Sequence, residues 1–260
     1  MIYYDCGLRI EHFNSKYGYF LPDDMGFATY LLRDGAFSTE APVINHIIDL
    51  IDNGVIDMKD KNFIDVGAHV GTYTITLAPF FEHTYSFEPN THIYNILCGN
   101  VALHNLSDKT TLVNAALSST IHTVDYKIFD TLGGESMCVK ENDNMSNALF
   151  KQYEDITFVK NEKIETKPLD YYNIDNVGLI KIDVEGFELN VLKGACETLS
   201  RSEWPIILVE SWDAVKGEKN EVYEAKERLR EELFGYLFNM GYETHERIYN
   251  DLFIFQHDNK

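Results

Sequence analysis

The chain has 260 residues, 45% of them hydrophobic, enough to bury a full core in one large α/β domain. Its 42 acidic against 22 basic residues give a net charge of −20, which opposes approach to phosphate backbones and anionic membrane surfaces, so neither nucleic acid nor a membrane is expected as a partner. Cys6, Cys98, Cys138 and Cys196 stand far apart with no C-x-x-C pair, which signals neither a zinc site nor a disulfide framework and leaves reduced, mostly buried thiols in a cytoplasmic protein as the expectation.

Residues 1–33 mix aromatic and turn residues, as in short strands and loops, with a brief helix over Phe27–Leu32. They show neither a basic region followed by an apolar core nor a run of membrane-span length. From Pro42 the apolar residues Val43, Ile47, Ile48 and Ile51 recur at helical spacing, with Asn53-Gly54 as a stop. Glu40, just ahead, has the chemistry to meet a ligand's amino group, although an isolated acid is more often a surface residue.

Residues 62–90 organise the chain. Phe63–Val66 is a short apolar run, and Gly67 and Gly71 interrupt the pattern just after it, so a buried strand leads through a glycine turn into a helix. A second apolar run, Thr84–Phe87, is closed by Glu88, where a carboxylate can accept both hydroxyls of a ribose. This is the plan of a nucleoside site. A dinucleotide loop reads G-x-G-x-x-G, whereas Gly67-Ala68-His69-Val70-Gly71 lacks the middle glycine and carries Asp65 just ahead of the turn. A pyrophosphate is disfavoured there, and the cationic, phosphate-free S-adenosylmethionine (SAM) fits better. Glycines that serve only packing are the plainer alternative.

Thr72–Leu77 reads as the first turns of a helix that Pro79 ends, and Asn90 as the cap of a helix with Ile93, Leu97 and Val101 on one face. Thr111–Ala116 reads as a third strand, with Asn114 either meeting an adenine edge or turning the chain. Thr123–Phe129 and Ser136–Val139 look like strand pieces around Gly133-Gly134, and the polar stretch Lys140–Asn147 behind them is a lid, a substrate loop or an ordinary surface excursion. Val177–Ile182 is the next strand, ending in Asp183-Val184-Glu185-Gly186. One helix should follow, with Phe187, Val191, Leu192, Ala195 and Leu199 inward. Pro205–Val209 is a fifth strand closed by Glu210. Residues 220–240 form a charged helix with a solvated polar face, and Tyr242–Ile248 and Asp251–Gln256 pair as a closing hairpin.

Taken together these strings resemble the FkbM family of SAM-dependent methyltransferases over about residues 55–256. The residues that carry the resemblance are Phe63–Thr74, Phe87-Glu88-Pro89, Asn114–Leu117, Gly133-Gly134, Pro168-Leu169-Asp170 and above all Leu179–Ala195 with its Asp183-Val184-Glu185-Gly186. The resemblance implies a Rossmann-like class I methyltransferase fold. That fold has a seven-stranded, mostly parallel sheet of order 3-2-1-4-5-7-6, strand 7 antiparallel, with helices on both faces. It also implies methyl transfer to a hydroxyl oxygen of a sugar or other small metabolite, SAM as cofactor, a cofactor loop at Asp65, Gly67 and Gly71 and a ribose acid at Glu88; with the residues of the turns beside them, the expected cofactor site is Asp65, Gly67, Ala68, His69, Gly71, Thr72, Glu88, Pro89 and Asn114. The expected organisation is a single domain, residues 1–54 being an N-terminal extension, 55–256 the SAM-binding core and 120–165 an insertion or lid.

A hydroxyl acceptor needs a base. Asp183 is the first candidate for base or substrate anchor because it ends the strand next to the cofactor strand; Glu185 is second and Glu210 third. His69 is a weaker candidate base. The three acids offer the oxygen ligands a divalent cation takes, yet no metal is assigned to them. The rival readings are a non-catalytic SAM-binding protein that keeps the fold and a nicotinamide-dependent oxidoreductase.

Overall fold

The computed structural model of the chain describes residues 41–56, 58–129, 137–139, 158–248 and 252–258, together with three short strands nearer the N-terminus. Those strands, Ile2–Tyr3 (β1), Arg9–Glu11 (β2) and Tyr19–Leu21 (β3), form a small antiparallel sheet. The expected helix over Phe27–Leu32 and the acid Glu40 lie outside the described residues. Helix Ala41–Asp52 (α1) follows, and Val43, Ile44 and Ile47 form its buried stripe.

The nucleoside-type half-fold is realised as Asn62–Val66 (β4), Thr72–Leu77 (α2), His83–Phe87 (β5), Thr91–Leu103 (α3) and Thr110–Val113 (β6). Pro79 falls in the 3-10 turn Ala78–Phe80 that ends α2. Asn90 caps α3, its side chain accepting from the backbone N–H of His92 at 3.0 Å and of Ile93 at 3.4 Å.

The third strand is shorter than its apolar residues suggest. It ends at Val113, and Ala116–Leu117 (β7) leaves the main sheet to run parallel to Phe158–Lys167 (β10). His122–Phe129 (β8) and Met137–Val139 (β9) complete a second, four-stranded sheet of order β7-β10-β8-β9. Gly133-Gly134 and the Lys140–Asn147 stretch lie outside the described residues.

Val177–Ile182 (β11) returns the chain to the centre of the main sheet. The helix expected over Phe187–Leu199 is two helices, Glu188–Lys193 (α4) and Cys196–Arg201 (α5). The break has two causes. A Cβ on Gly194 would meet the Ser118 carbonyl oxygen at 2.0 Å, so the backbone here presses against the second sheet's connection. Asp170 then starts α5 afresh, accepting from the N–H of Thr198 at 2.8 Å and of Glu197 at 3.1 Å. Asp170→Ala is expected to lower stability by about 1 kcal/mol, read as a fall in the urea midpoint at constant slope.

Ile206–Glu210 (β12), Asn220–Asn239 (α6), Tyr242–Ile248 (β13) and Leu252–His257 (β14) close the fold. The polar face of α6 is largely exposed, as expected, at Glu221, Glu224, Arg228, Glu231 and Glu232, while on its flank Lys226 pairs with Glu218 at 2.6 Å and Arg230 with Asp213 at 2.7 Å, tying down the loop after β12. Of the described thiols, Cys98 and Cys138 are partly buried and Cys196 is exposed, so the expectation of mostly buried thiols holds for two of the three. No described helix is long and apolar enough to cross a membrane.

The main sheet has the order β13-β14-β12-β11-β4-β5-β6, with β14 antiparallel to both neighbours. Read from β6 and renumbered within the sheet, this is the expected 3-2-1-4-5-7-6. Its central strands are apolar at nearly every position because both faces are covered. Ile64, Val66, Ile180, Ile182, Ile207 and Val209 point into one cluster with α4, α5 and α6, while Phe63, Leu179, Ile206 and Leu208 point into another with α1 and α2. The sheet's carboxyl edge is thereby fixed between two packed layers.

Candidate active site

Strands β4 and β11 are parallel neighbours, with Asp65 level with Lys181 and Val66 with Ile182, so the turns that follow them lie side by side. Ligands of open α/β sheets bind at this edge. Gly67 has φ +78°, and a Cβ there would stand 1.8 Å from the Asp183 carbonyl oxygen; no side chain fits between the two turns. Each turn also holds a non-glycine residue in the left-handed region, His69 at φ 49° and Glu185 at φ 57°. Strained backbone of this kind gathers at functional sites.

Glu88 ends β5 beside the glycine turn. Its Oε2 accepts from the His69 N–H at 3.0 Å and its Oε1 from the Asn90 N–H at 2.8 Å. Burial pushes its carboxyl up to about 7, against the lowering from those two N–H groups. The Asn114 Nδ2 donates to the carbonyls of Glu88 at 2.8 Å and Pro89 at 3.1 Å, bracing the turn after β5. Burial pushes the His69 imidazole down to about 4, so it is neutral near pH 7 and a weak base.

Beneath the turns lies a buried charge network. The Lys181 ammonium, with a side chain only 3% exposed, donates to the Gly67 carbonyl at 2.9 Å and lies 3.2 Å from Asp183 Oδ2 and 3.7 Å from Asp65 Oδ1. Asp65 is fully buried and also accepts from Thr74 Oγ1 at 2.6 Å. Its carboxyl is raised by burial, opposed by Lys181 and Thr74. Asp65 therefore acts on the cleft from below. Glu188, likewise buried, accepts from the N–H of Val184 at 3.1 Å and of Gly186 at 3.0 Å, holding the second turn in shape.

Above the turns a cleft of about 1070 Å³, its open mouth included, follows the sheet edge. Val66–His69, Thr72 and Tyr73 line its middle, Phe87, Glu88 and Pro89 one end, and Asp183, Val184, Glu185 and Glu210 the other. One carboxylate oxygen from each of Asp183, Glu185 and Glu210 lies within 4.8 Å of the others.

Residues 65–244, well over half of the chain, match the family model described as the methyltransferase FkbM domain. The chain belongs to the FkbM methyltransferase family. The family's methyl donor is SAM, as the resemblance implied. Among curated proteins this FkbM chain is similar to methyltransferase sdnD of Sordaria araneosa, with 27% identity over 180 residues; the match takes in 58% of this chain and 66% of that protein, a little under two thirds of its length. Among solved structures it is similar to a methyltransferase FkbM from Methylobacillus flagellatus KT, with a TM-score of 0.49 and 17% identity, covering 78% of this chain and 45% of that one. It is also similar to an O-methyltransferase from Bacillus cereus in complex with SAH, with a TM-score of 0.45 and 12% identity, covering 88% and 85%.

Of the residues named from sequence, Gly67, Ala68, His69, Thr72, Glu88, Pro89, Asp183, Glu185 and Glu210 meet in this one cleft. Asp65, Gly71 and Asn114 adjoin these lining residues in the chain or through hydrogen bonds, Asp65 next to Val66 and Asn114 on the carbonyls of Glu88 and Pro89. Sequence reasoning gave no role to Lys181, Glu188, Tyr126 or Cys138. For Lys181 a signal was available, because a lone lysine in an otherwise apolar, doubly covered strand must find buried partners.

Proposed function

We propose that this FkbM chain transfers the methyl group of SAM to a hydroxyl oxygen of a sugar or other small metabolite. The observation that carries the reading is the single cleft along the edge of β5, β4, β11 and β12, with Glu88 at one end and three carboxylates at the other. When bound, SAM supplies a methyl group activated on a sulfonium. The residues fit such a group: Glu88 has acceptor capacity left for ribose hydroxyls, and Gly67 lets a ligand approach the main chain closely. Pro89 and Thr72 line the pocket, and the acids favour a cationic ligand.

In-line displacement needs an aligned nucleophile, a dry site and a base for the hydroxyl proton. Asp183 is the first candidate, held by Lys181 at 3.2 Å; Glu185 and Glu210 follow. The net charge of −20 favours a small-molecule or glycan acceptor over nucleic acid. In the same reading residues 55–256 form the core, 1–54 an extension and 120–165 an insertion.

A melting-temperature screen tests the cofactor: SAM and S-adenosylhomocysteine should raise the midpoint and NAD should not. No shift with the first two sinks the assignment. Methyl transfer from labelled SAM across a panel of hydroxylated metabolites tests the chemistry, and SAM binding with no product anywhere on that panel favours a non-catalytic protein. Asp183→Asn should keep SAM affinity and lower turnover on any acceptor found by about 100-fold or more; unchanged turnover removes Asp183 from the role.

The Glu88 carboxyl, held at about 7 in the free protein, also gives a pH dependence. Ribose hydroxyls donate to the carboxylate, so binding favours the ionised form. Affinity for S-adenosylhomocysteine should rise as pH rises through about 7, level off above, and fall away below. Glu88→Gln should flatten that profile, and a wild-type affinity constant from pH 5.5 to 8.5 would contradict the assignment.

A further inference from the structure

We propose that the second sheet walls the adenosine part of the cofactor, with Tyr126 and Cys138 as its contact residues. The inference rests on the SAM reading above and extends it to a part of the chain that reading assigns only as an insertion.

Tyr126 of β8 and Cys138 of β9 are direct partners in the antiparallel ladder, which places both side chains on the same face of the sheet. Both line the cleft, as do Ala116 and Leu117 of β7, so three of the sheet's four strands share one wall. Topology fixes which end of the cleft they serve. β7 follows directly from β6, the neighbour of β5, and β5 leads into Glu88; the acids stand at the other end, by β11 and β12.

The chemistry of this end suits a purine nucleoside. Tyr126 is a buried aromatic ring, Leu117 and Pro89 are apolar, and the Glu88 carboxylate, the proposed acceptor for ribose hydroxyls, stands beside them. Burial, with the Glu88 charge nearby, pushes the Cys138 thiol up to about 12, so it is neutral and presents a soft, weakly polar surface. A purine stacks on such walls; Phe187 and Val184 also line the cleft, beside the three carboxylates, so it is Glu88 that places the nucleoside at this end. The wall is also anchored, because Ser118 donates its N–H to the Lys167 carbonyl at 2.9 Å and its own carbonyl abuts Gly194.

The test is calorimetric titration with two ligands, S-adenosylhomocysteine and 5′-methylthioadenosine, which shares the adenosine but lacks the amino-acid arm. Cys138→Phe, which fills the wall from a partly buried position on an edge strand, and Tyr126→Ala, which removes the ring, should each weaken both ligands by a similar factor, about 10-fold or more. Cys138→Ala should change either affinity less than about 3-fold. If Tyr126→Ala does not fold by circular dichroism, Cys138→Phe alone decides. Unchanged affinities overturn the proposal, and so does loss of S-adenosylhomocysteine binding with methylthioadenosine unaffected, which would place these residues at the amino-acid arm. A wild-type protein that binds neither ligand refutes the SAM reading itself and this inference with it; binding by the wild type with indifferent variants refutes this inference alone.

Discussion

Gly67→Ala is expected to destabilise the protein by about 2–5 kcal/mol and to abolish measurable S-adenosylhomocysteine binding. Two costs add. The residue has φ +78°, where a Cβ clashes with its own backbone, and the added carbon would lie 1.8 Å from the Asp183 carbonyl oxygen, an atom of the neighbouring turn that cannot swing aside. Relief requires β4 and β11 to separate at their carboxyl ends, which moves the cofactor turn and the candidate base together. Gly217→Ala is the control: φ is +110° there, but nothing lies within 4 Å of the added carbon, so only the conformational cost of about 1 kcal/mol applies. Urea denaturation of both variants separates the terms, and equal losses would show that the contact with Asp183 is unimportant.

Lys181→Met is the second large effect, with an expected loss of about 3–5 kcal/mol. The substitution nearly preserves volume but leaves Asp65, fully buried, facing no cation and releases the Gly67 carbonyl from its donor. Burial already raises the Asp65 carboxyl above its usual range, and removing the ammonium raises it further. The sign of the pH dependence follows. A carboxyl whose folded value exceeds its unfolded value binds its proton more tightly when folded, so stability falls as pH rises between the two values. The Lys181→Met penalty should therefore be larger at pH 8 than at pH 5. Asp65→Asn combined with Lys181→Met removes the uncompensated charge and should recover a good part of the loss. A double variant no more stable than Lys181→Met would show that the pairing with Asp65 contributes little.

What the sequence revealed divides by whether the signal is local. β4, β5, β11 and β12 were legible because each is an apolar run ended by a glycine turn or an acid, and Glu88 and Asp183 were legible because they stand where those runs stop. Residues 158–167 carried no such signal: their Lys, Asn and Glu residues are held in β10 by pairing with β8 on a partly solvated sheet, which periodicity cannot report. Ala115-Ala116-Leu117 continued the apolar character of β6, so the exit toward β10 was invisible without the partner strand. The helix after β11 was read as one piece because its apolar spacing runs through Gly194; the contact with Ser118 and the cap from Asp170 are both distant in sequence. Lys181 shows the same limit at the site. Its burial was inferable from the strand, but its partners come from β4 and from the turn after β11.

Titration of S-adenosylhomocysteine into the wild-type protein and into Glu88→Ala at pH 8 tests the account most directly. Wild type should bind at a single site, and the variant should lose about 10-fold or more in affinity while keeping the wild-type circular dichroism spectrum, since hydrogen bonds from the ribose to a charged acceptor are removed. Absence of binding by the wild type, or equal affinity in the two proteins, would contradict the placement of the nucleoside beside Glu88.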